Sequence, residues 1–334
     1  MALGRPRRLA EKGRAVVAAF LFFTPGITTW AASRAYITNQ RDDTLSVIDT
    51  ASLEVIKTLP VGSKPAGVAV SQDGARVLVS NPGSRDLTLV DGRDDTVMAT
   101  LSVGESPLGV AMDGGGHRAY VADWYDQRLA VVDLDRHALV GWVAVGRSPA
   151  GVVVSADGGE VYVANRDDNT VSRINPQTLA VEATTGVGLH PFGLTLDTCR
   201  NRLYVANVES NDVSVLDTTD LRLIRTIPVG ERPYAGTLAL QGRRLLITNH
   251  YDNSVSVIDT VRDEVMATWP VGEYPEGIAT HPDDHTVYVA NWFSNTVTVL
   301  DAEKGTRVAT IKTGNGSRAF GSFLSGRSGT VSPP

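Results

Sequence analysis

The chain reads as an all-β protein, a seven-bladed β-propeller of four-stranded antiparallel blades. Three markers, each recurring at one fixed interval, predict it. An Asn returns every 42 residues, at Asn39, Asn81, Asn165, Asn207, Asn249 and Asn291, with Asp123 in the remaining copy. A Gly keeps the same step at Gly62, Gly104, Gly146, Gly188, Gly230, Gly272 and Gly314. So does a residue closing a strand, at Asp49, Asp91, Asp133, Asn175, Asp217, Asp259 and Asp301. A fixed period of about 40–45 residues means a propeller or a solenoid.

Strand content decides between the two. After Gly146 come GVVVS, EVYVAN, TVSRIN and LAVEATTGVG, separated by ADGG, RDDN and PQT. The breaks supply the Gly, Pro, Asn and Asp that turns need. No helical periodicity interrupts the unit. Four antiparallel strands, here lettered A to D from axis to rim, make a propeller blade. The runs are apolar on both faces with Ser or Thr at many alternate positions. That composition suits a sheet packed between two neighbours.

The ends of the repeat predict closure. AYITN at 35–39 is a B strand with no A strand before it, and RAFGSFL at 318–324 is an A strand with no B after it. Pairing the two completes the first blade and removes the open edge. One propeller domain over residues 34–325 follows.

The runs YITN, YVAD, YVAN and ITN, each followed by TVSVID-like and PVG-like segments, resemble the YVTN-type seven-bladed propellers. The resemblance spans residues 35 to about 324. It implies the fold and export from a bacterial cytoplasm. It leaves function open, because such propellers include binding proteins, lactonases, lyases and parts of redox enzymes.

Export also follows from the N-terminus. Arg5, Arg7, Arg8, Lys12 and Arg14 precede an apolar run from Ala15 to Ile27, and small residues follow at Ala31, Ala32 and Ser33. This is the pattern of a signal peptide over residues 1–33, cleaved near 31–33, which predicts a periplasmic or secreted protein with no membrane segment after cleavage. Its removal takes the formal net charge from −6 to −10. So acidic a chain is not steered to nucleic acid or anionic lipid. Cys199 is the single cysteine, so there is no intramolecular disulfide, no covalent haem attachment and no cysteine zinc cluster. Residues 326–334 read as a disordered tail, and the protein is expected to be a monomer.

Topology locates the candidate site. The D–A and B–C turns share one face, called upper here. The D–A turns carry variable pairs around the Pro of VGxxPxG, among them His190/Phe192, Arg232/Tyr234 and Tyr274/Glu276. The B–C turns carry another pair after the repeating Asn, among them Trp124-Tyr125, Arg166-Asp167, Val208-Glu209, His250-Tyr251 and Trp292-Phe293. One half of the upper face is therefore aromatic and ionisable, while Ala66, Pro82 and Gly83 leave the other plain. Aromatic walls with a few polar groups suit a small molecule. Tyr, Trp and Arg suit a protein partner equally.

The ligand-binding candidates are thus Trp124, Tyr125, Arg166, Phe192, Arg232, Tyr234, Tyr251, Tyr274, Trp292 and Phe293. No cofactor is required, although His190 and His250 could hold a divalent metal with Glu209 or Glu276 as a third ligand. The same four could serve a lyase or lactonase as acid and base. A binding or scaffold protein, accessory to a redox or uptake system of the periplasm, is the preferred expectation. His117, His281 and His285 fall in A–B turns on the lower face, where HPDDH reads as a polar turn. Two departures from the repeat stand out. Gly236 is displaced by one residue in PYAGTLAL, which predicts a local bulge. Arg173 replaces an apolar residue and is expected to snorkel or to pair with an acid on the next blade.

Overall fold

The repeating Gly and Asn form one device. A Cβ at Gly230 would lie 2.5 Å from Cγ of Asn249, and at Gly272 it would lie 2.6 Å from Cγ of Asn291. The turn must therefore be Gly so that the buried amide can sit against it. That amide donates to a hydroxyl seven residues on and to a hydroxyl or carboxylate five residues on, as Asn249 does to Ser256 and Ser254, both at 2.9 Å, and Asn81 to Asp86. Asp123 cannot donate, and Arg128 reaches its carboxylate instead, Nε at 3.1 Å. Each Asn thus ties a D–A turn, the end of a B strand and the C strand together, which fixes the register.

The computed structural model describes Met1, Ala2, Gly4 and residues 33–155 and 157–326. The expected leader and tail lie almost wholly outside them. The chain divides into Met1–Ala31 and Ala32–Pro334, and the second unit is the propeller. Its sheets are antiparallel and sequential. Blade 1 holds Arg34–Asn39, Thr44–Asp49 and Glu54–Pro60, and six four-stranded sheets follow. Blade 6, for example, runs Pro233–Ala239, Arg244–Asn249, Ser254–Asp259 and Glu264–Pro270. Seven four-stranded blades arise once the C-terminal segment joins blade 1.

That segment closes the ring differently from a regular ladder. Isolated bridges join Ala35 to Leu324 and Asn39 to Ser317, antiparallel. Tyr36 donates its amide to Phe323 O at 2.9 Å, and Arg318 donates to Thr38 O at 2.9 Å. Ala319 and Gly321 have positive φ, 50° and 119°, so the strand twists off its track. The twist lets it bond blade 2 as well: Val68 and Val70 donate to Phe320 O and Ser322 O, both at 2.9 Å.

The core lies between blades. B-strand tyrosines Tyr36, Tyr120, Tyr162, Tyr204 and Tyr288 are buried there. Burial raises the pKa of every one of these hydroxyls, that of Tyr288 to about 12. A guanidinium clamps neighbouring blades at the lower face. Arg34, Arg118, Arg202 and Arg244 open their B strands and donate to carbonyls of the next blade's C–D turn, at Gly92, Pro176, Thr260 and Ala302.

Arg173 is the same clamp moved by one strand. Blade 4 carries Glu160 where blades 1, 2, 3, 5 and 6 carry Arg and blade 7 carries Thr286, and Arg173 supplies the guanidinium, donating to Thr218 O at 3.0 Å. The acids beside it, Glu160 at 3.6 Å and Glu182 at 3.7 Å, belong to its own blade and not to the next one.

The bulge expected of blade 6 alone is common to the ring. Register shifts fall after the Pro of the A strand at Pro107, Pro149, Pro191, Pro233 and Pro275. Blade 6 has Ala235, and the closing segment Ala319, where blades 2 to 5 and 7 have Gly. At Gly151 and Gly193 a Cβ would strike the next blade's carbonyl at 2.2 and 2.3 Å. Thr248 organises this spot in blade 6: its hydroxyl takes the amide of Ala235 and donates to Glu276 O.

Candidate functional site

The upper turns are set rigidly before any side chain is considered. In every D–A turn except that of Ser106 the residue before the Pro, or its counterpart Gly316, takes a left-handed φ, as at His190 (54°), Arg232 (57°) and Tyr274 (51°). This is an uncommon conformation for such residues, and hydrogen bonds on both sides hold it. Arg232 N donates to Asn211 Oδ1 of the preceding blade at 2.8 Å, and Arg232 O accepts from His250 N at 2.9 Å. The same pair of bonds recurs at His190, through Asn169 and Val208, and at Tyr274, through Asn253 and Trp292. Side chains at these positions are therefore carried by stapled turns, which lowers the entropy cost of ordering them.

The residues after the Pro fill the mouth of the channel instead of lining it. Phe192, Tyr234 and Glu276 are 5%, 9% and 6% exposed. Phe192 packs on Tyr234 with ring centroids 4.2 Å apart and on Phe320 at 4.9 Å. The mouth is an aromatic hub. The turns converge toward the axis, where Ala66, Leu108, Ala150, Phe192, Tyr234 and Glu276 are all buried.

Three ion pairs surround this hub. Arg318 of the closing segment lies beside Glu276, Nε to Oε2 2.6 Å, and donates to Tyr234 Oη at 2.5 Å. Burial opposes the Arg318 charge, but Glu276 and Tyr234 outweigh it and hold its pKa above the ordinary value. Burial also raises Tyr234, with Arg318 opposing and Glu276 reinforcing. Arg232 pairs with Glu209, whose carboxylate stands 3.8 Å from His190 Nδ1. Arg166 pairs with Asp167, which also accepts the hydroxyl of Ser148 at 2.5 Å. Burial would raise the Asp167 carboxyl, and the hydroxyl and guanidinium together hold it below its usual value.

An aromatic arc rises from the hub to the surface. His250 stacks on Tyr234 at 5.6 Å and touches Tyr251 and Tyr274. Tyr274 meets Trp292 and Phe293 edge-on at 6.5 and 5.6 Å. Arginines cover the ends: Arg232 lies 5.3 Å from the Tyr251 ring and Arg41 lies 4.2 Å from that of Trp292. Such contacts add attraction where the cation is partly desolvated. Trp292 Nε1 donates to Gln40 at 3.0 Å. Trp124 joins the other end, 6.1 Å from Phe192, with Arg166 5.7 Å from its ring. Tyr251 and Phe293 stay about half exposed, and Tyr125 stands clear of the arc at 72% exposure.

Thus every candidate except Tyr125 belongs to one connected network. The two histidines do not meet over a shared ligand. His190 faces Glu209, while His250 faces Glu276, Nε2 to Oε1 3.5 Å. Among the described residues no three His, Cys, Asp or Glu side chains converge as a metal would need. Arg318, Phe320, Gln40 and Arg41 were not among the sequence candidates. Arg318 had a readable signal, since it follows Glu276 by one repeat. The lower-face HPDDH segment is the turn it was read as, with Asp283 accepting the amides of His285 and Thr286.

Comparison with known proteins adds the fold and little more. Residues 27–115 match the YNCE-like beta-propeller family. No curated protein matches the chain. Among solved structures, hydrazine synthase from Kuenenia stuttgartiensis is similar over 85% of this chain and 99% of its own, at 21% identity and a TM-score of 0.67. A functionally unknown protein from Desulfotomaculum acetoxidans is similar over 86% and 99%, at 15% identity and a TM-score of 0.73. At these identities the likeness concerns the fold alone.

Proposed function

We propose that the chain is an exported binding protein that receives a partner on the upper face, over blades 5 to 7 and the first B–C turn. One observation carries the reading: an unbroken arc of Tyr, Trp, Phe and Arg side chains, mounted on stapled turns above a filled hub. A filled hub offers no deep pocket at this end, so contact is made on a shallow surface. Exposed tyrosine, phenylalanine and arginine over a buried support are the chemistry of protein-interface anchors. The histidines, each against a carboxylate, suit a role in holding that surface in shape. The basic and apolar N-terminal segment supports export.

The test is differential capture. Immobilised protein is exposed to periplasmic extract of the source cells, and the species retained is then measured against variants. Arg232→Ala and Tyr251→Ala should each weaken its binding by about 2 kcal/mol or more, roughly thirtyfold. Ser106→Ala, on the plain side, should leave it unchanged. A retained species indifferent to both first substitutions would refute the upper-face reading.

A further inference from the structure

We propose that the channel beneath the hub binds a small uncharged molecule, chiefly apolar, with a polar atom on one side. This site faces away from the surface just described and does not depend on it. The inner strands enclose a cavity of about 490 Å³. Its wall runs from Gly193 and Ala235 under the hub to Met112, Leu196 and Leu324 at the lower ends of the strands. The aromatic hub seals the upper end. Phe320 comes from the closing segment and Phe192 from blade 5, so their 4.9 Å contact crosses the axis. Ligand sites of about 300–1,000 Å³ are the common size for drug-like molecules.

The lining chooses the chemistry. Among the described residues, no Asp, Glu, Lys, Arg or His contributes to the wall. A charged guest would lose its hydration there and gain no counter-ion. The wall is also two-sided. Blades 2 to 4 present aliphatic side chains and Met112, whereas Thr195, Thr237, Thr280 and Ser322 place hydroxyls on the side of blades 5 to 7 and the closing segment. Thr237 and Thr280 satisfy one another, Oγ1 to Oγ1 3.0 Å. The Thr195 hydroxyl makes no hydrogen bond to the protein among the described residues, and it lies on the wall of the cavity. It can accept from or donate to a guest lying against the aliphatic side.

The probe is N-phenyl-1-naphthylamine, an uncharged diaryl amine with one N–H, whose fluorescence rises on leaving water. Its counterpart is 8-anilino-1-naphthalenesulfonate, nearly the same skeleton with a permanent charge. Titrated into the full chain, the amine should bind saturably at one site, and the sulfonate at least about tenfold more weakly. Thr195→Val keeps the shape and removes the hydroxyl, and should weaken the amine about three- to tenfold. Ser322→Trp, at an exposed lining position, should block the lumen and abolish binding. Tyr251→Ala on the upper face should change nothing. Melting curves show whether Ser322→Trp folds, and if it does not, the isosteric Thr195→Val decides alone. Absence of saturable binding, equal binding of the sulfonate, or an amine affinity untouched by Thr195→Val would each overturn the proposal.

Discussion

At the scale of single residues, the repeating letters answer to contact and not to sequence habit. Gly230 is small because Asn249 occupies the place of its side chain, and Asn249 is an amide because two hydroxyls await its Nδ2. Gly230→Ala should therefore cost about 1–3 kcal/mol, the price of overpacking a filled site, read as a lowered denaturation midpoint. Gly186 is the control. A Cβ there meets nothing within 4 Å, so Gly186→Ala should leave the midpoint unchanged or raise it. Equal losses at the two positions would show that backbone freedom, and not the asparagine, sets the cost. The same logic separates fold from site on the upper face. Residues held by the repeat recur, while His190, Arg232 and Tyr274 share only a backbone conformation, and their side chains are free to differ.

At the scale of elements, the clamp between blades 4 and 5 makes a sharper case. Glu160 took the position of the clamping arginine, and Arg173 on the adjacent strand took over its bond. Arg173→Ala should destabilise by about 1–3 kcal/mol, because it leaves the Thr218 carbonyl and two glutamates without their cation. Restoring the arrangement of the other blades, with Glu160→Arg and Arg173→Val together, should recover most of that loss. A double variant no more stable than Arg173→Ala would refute the exchange. This compensation was only half legible in the sequence. Arg173 stood out against six apolar counterparts, but its meaning required knowing that residue 160 faces the next blade. Strand count, order and closure were legible, because a 42-residue period repeats the same physical problem seven times. Glu276 and Arg318 were legible as equivalent positions one repeat apart, but their buried pairing was not, since each occurs once and a repeat offers no second example. The filling of the hub was not legible for a related reason. Position in a turn says that a side chain points to the axis, and only the radius of the ring says whether seven of them fill it.

At the scale of the whole molecule, stability depends on a segment that touches two blades. Removing residues 317–334 takes away the partner of the first B strand and the bonds to Val68 and Val70. A melting temperature lowered by more than about 10 °C, or insolubility, is the expected outcome, since an open edge and a cut core appear together. Removing residues 327–334 leaves every bond named here in place and should not move it. If the longer truncation melts like the intact protein, the ring does not need its closure. The same feature sets an order of events. The Thr38 hydroxyl meets the amide of Ala319, 281 residues later. The first blade is thus completed by the closing segment, and its sheet stays unfinished until that segment arrives. Contacts of such separation form slowly, so the ring locks late in folding, after the blades between its two ends have formed.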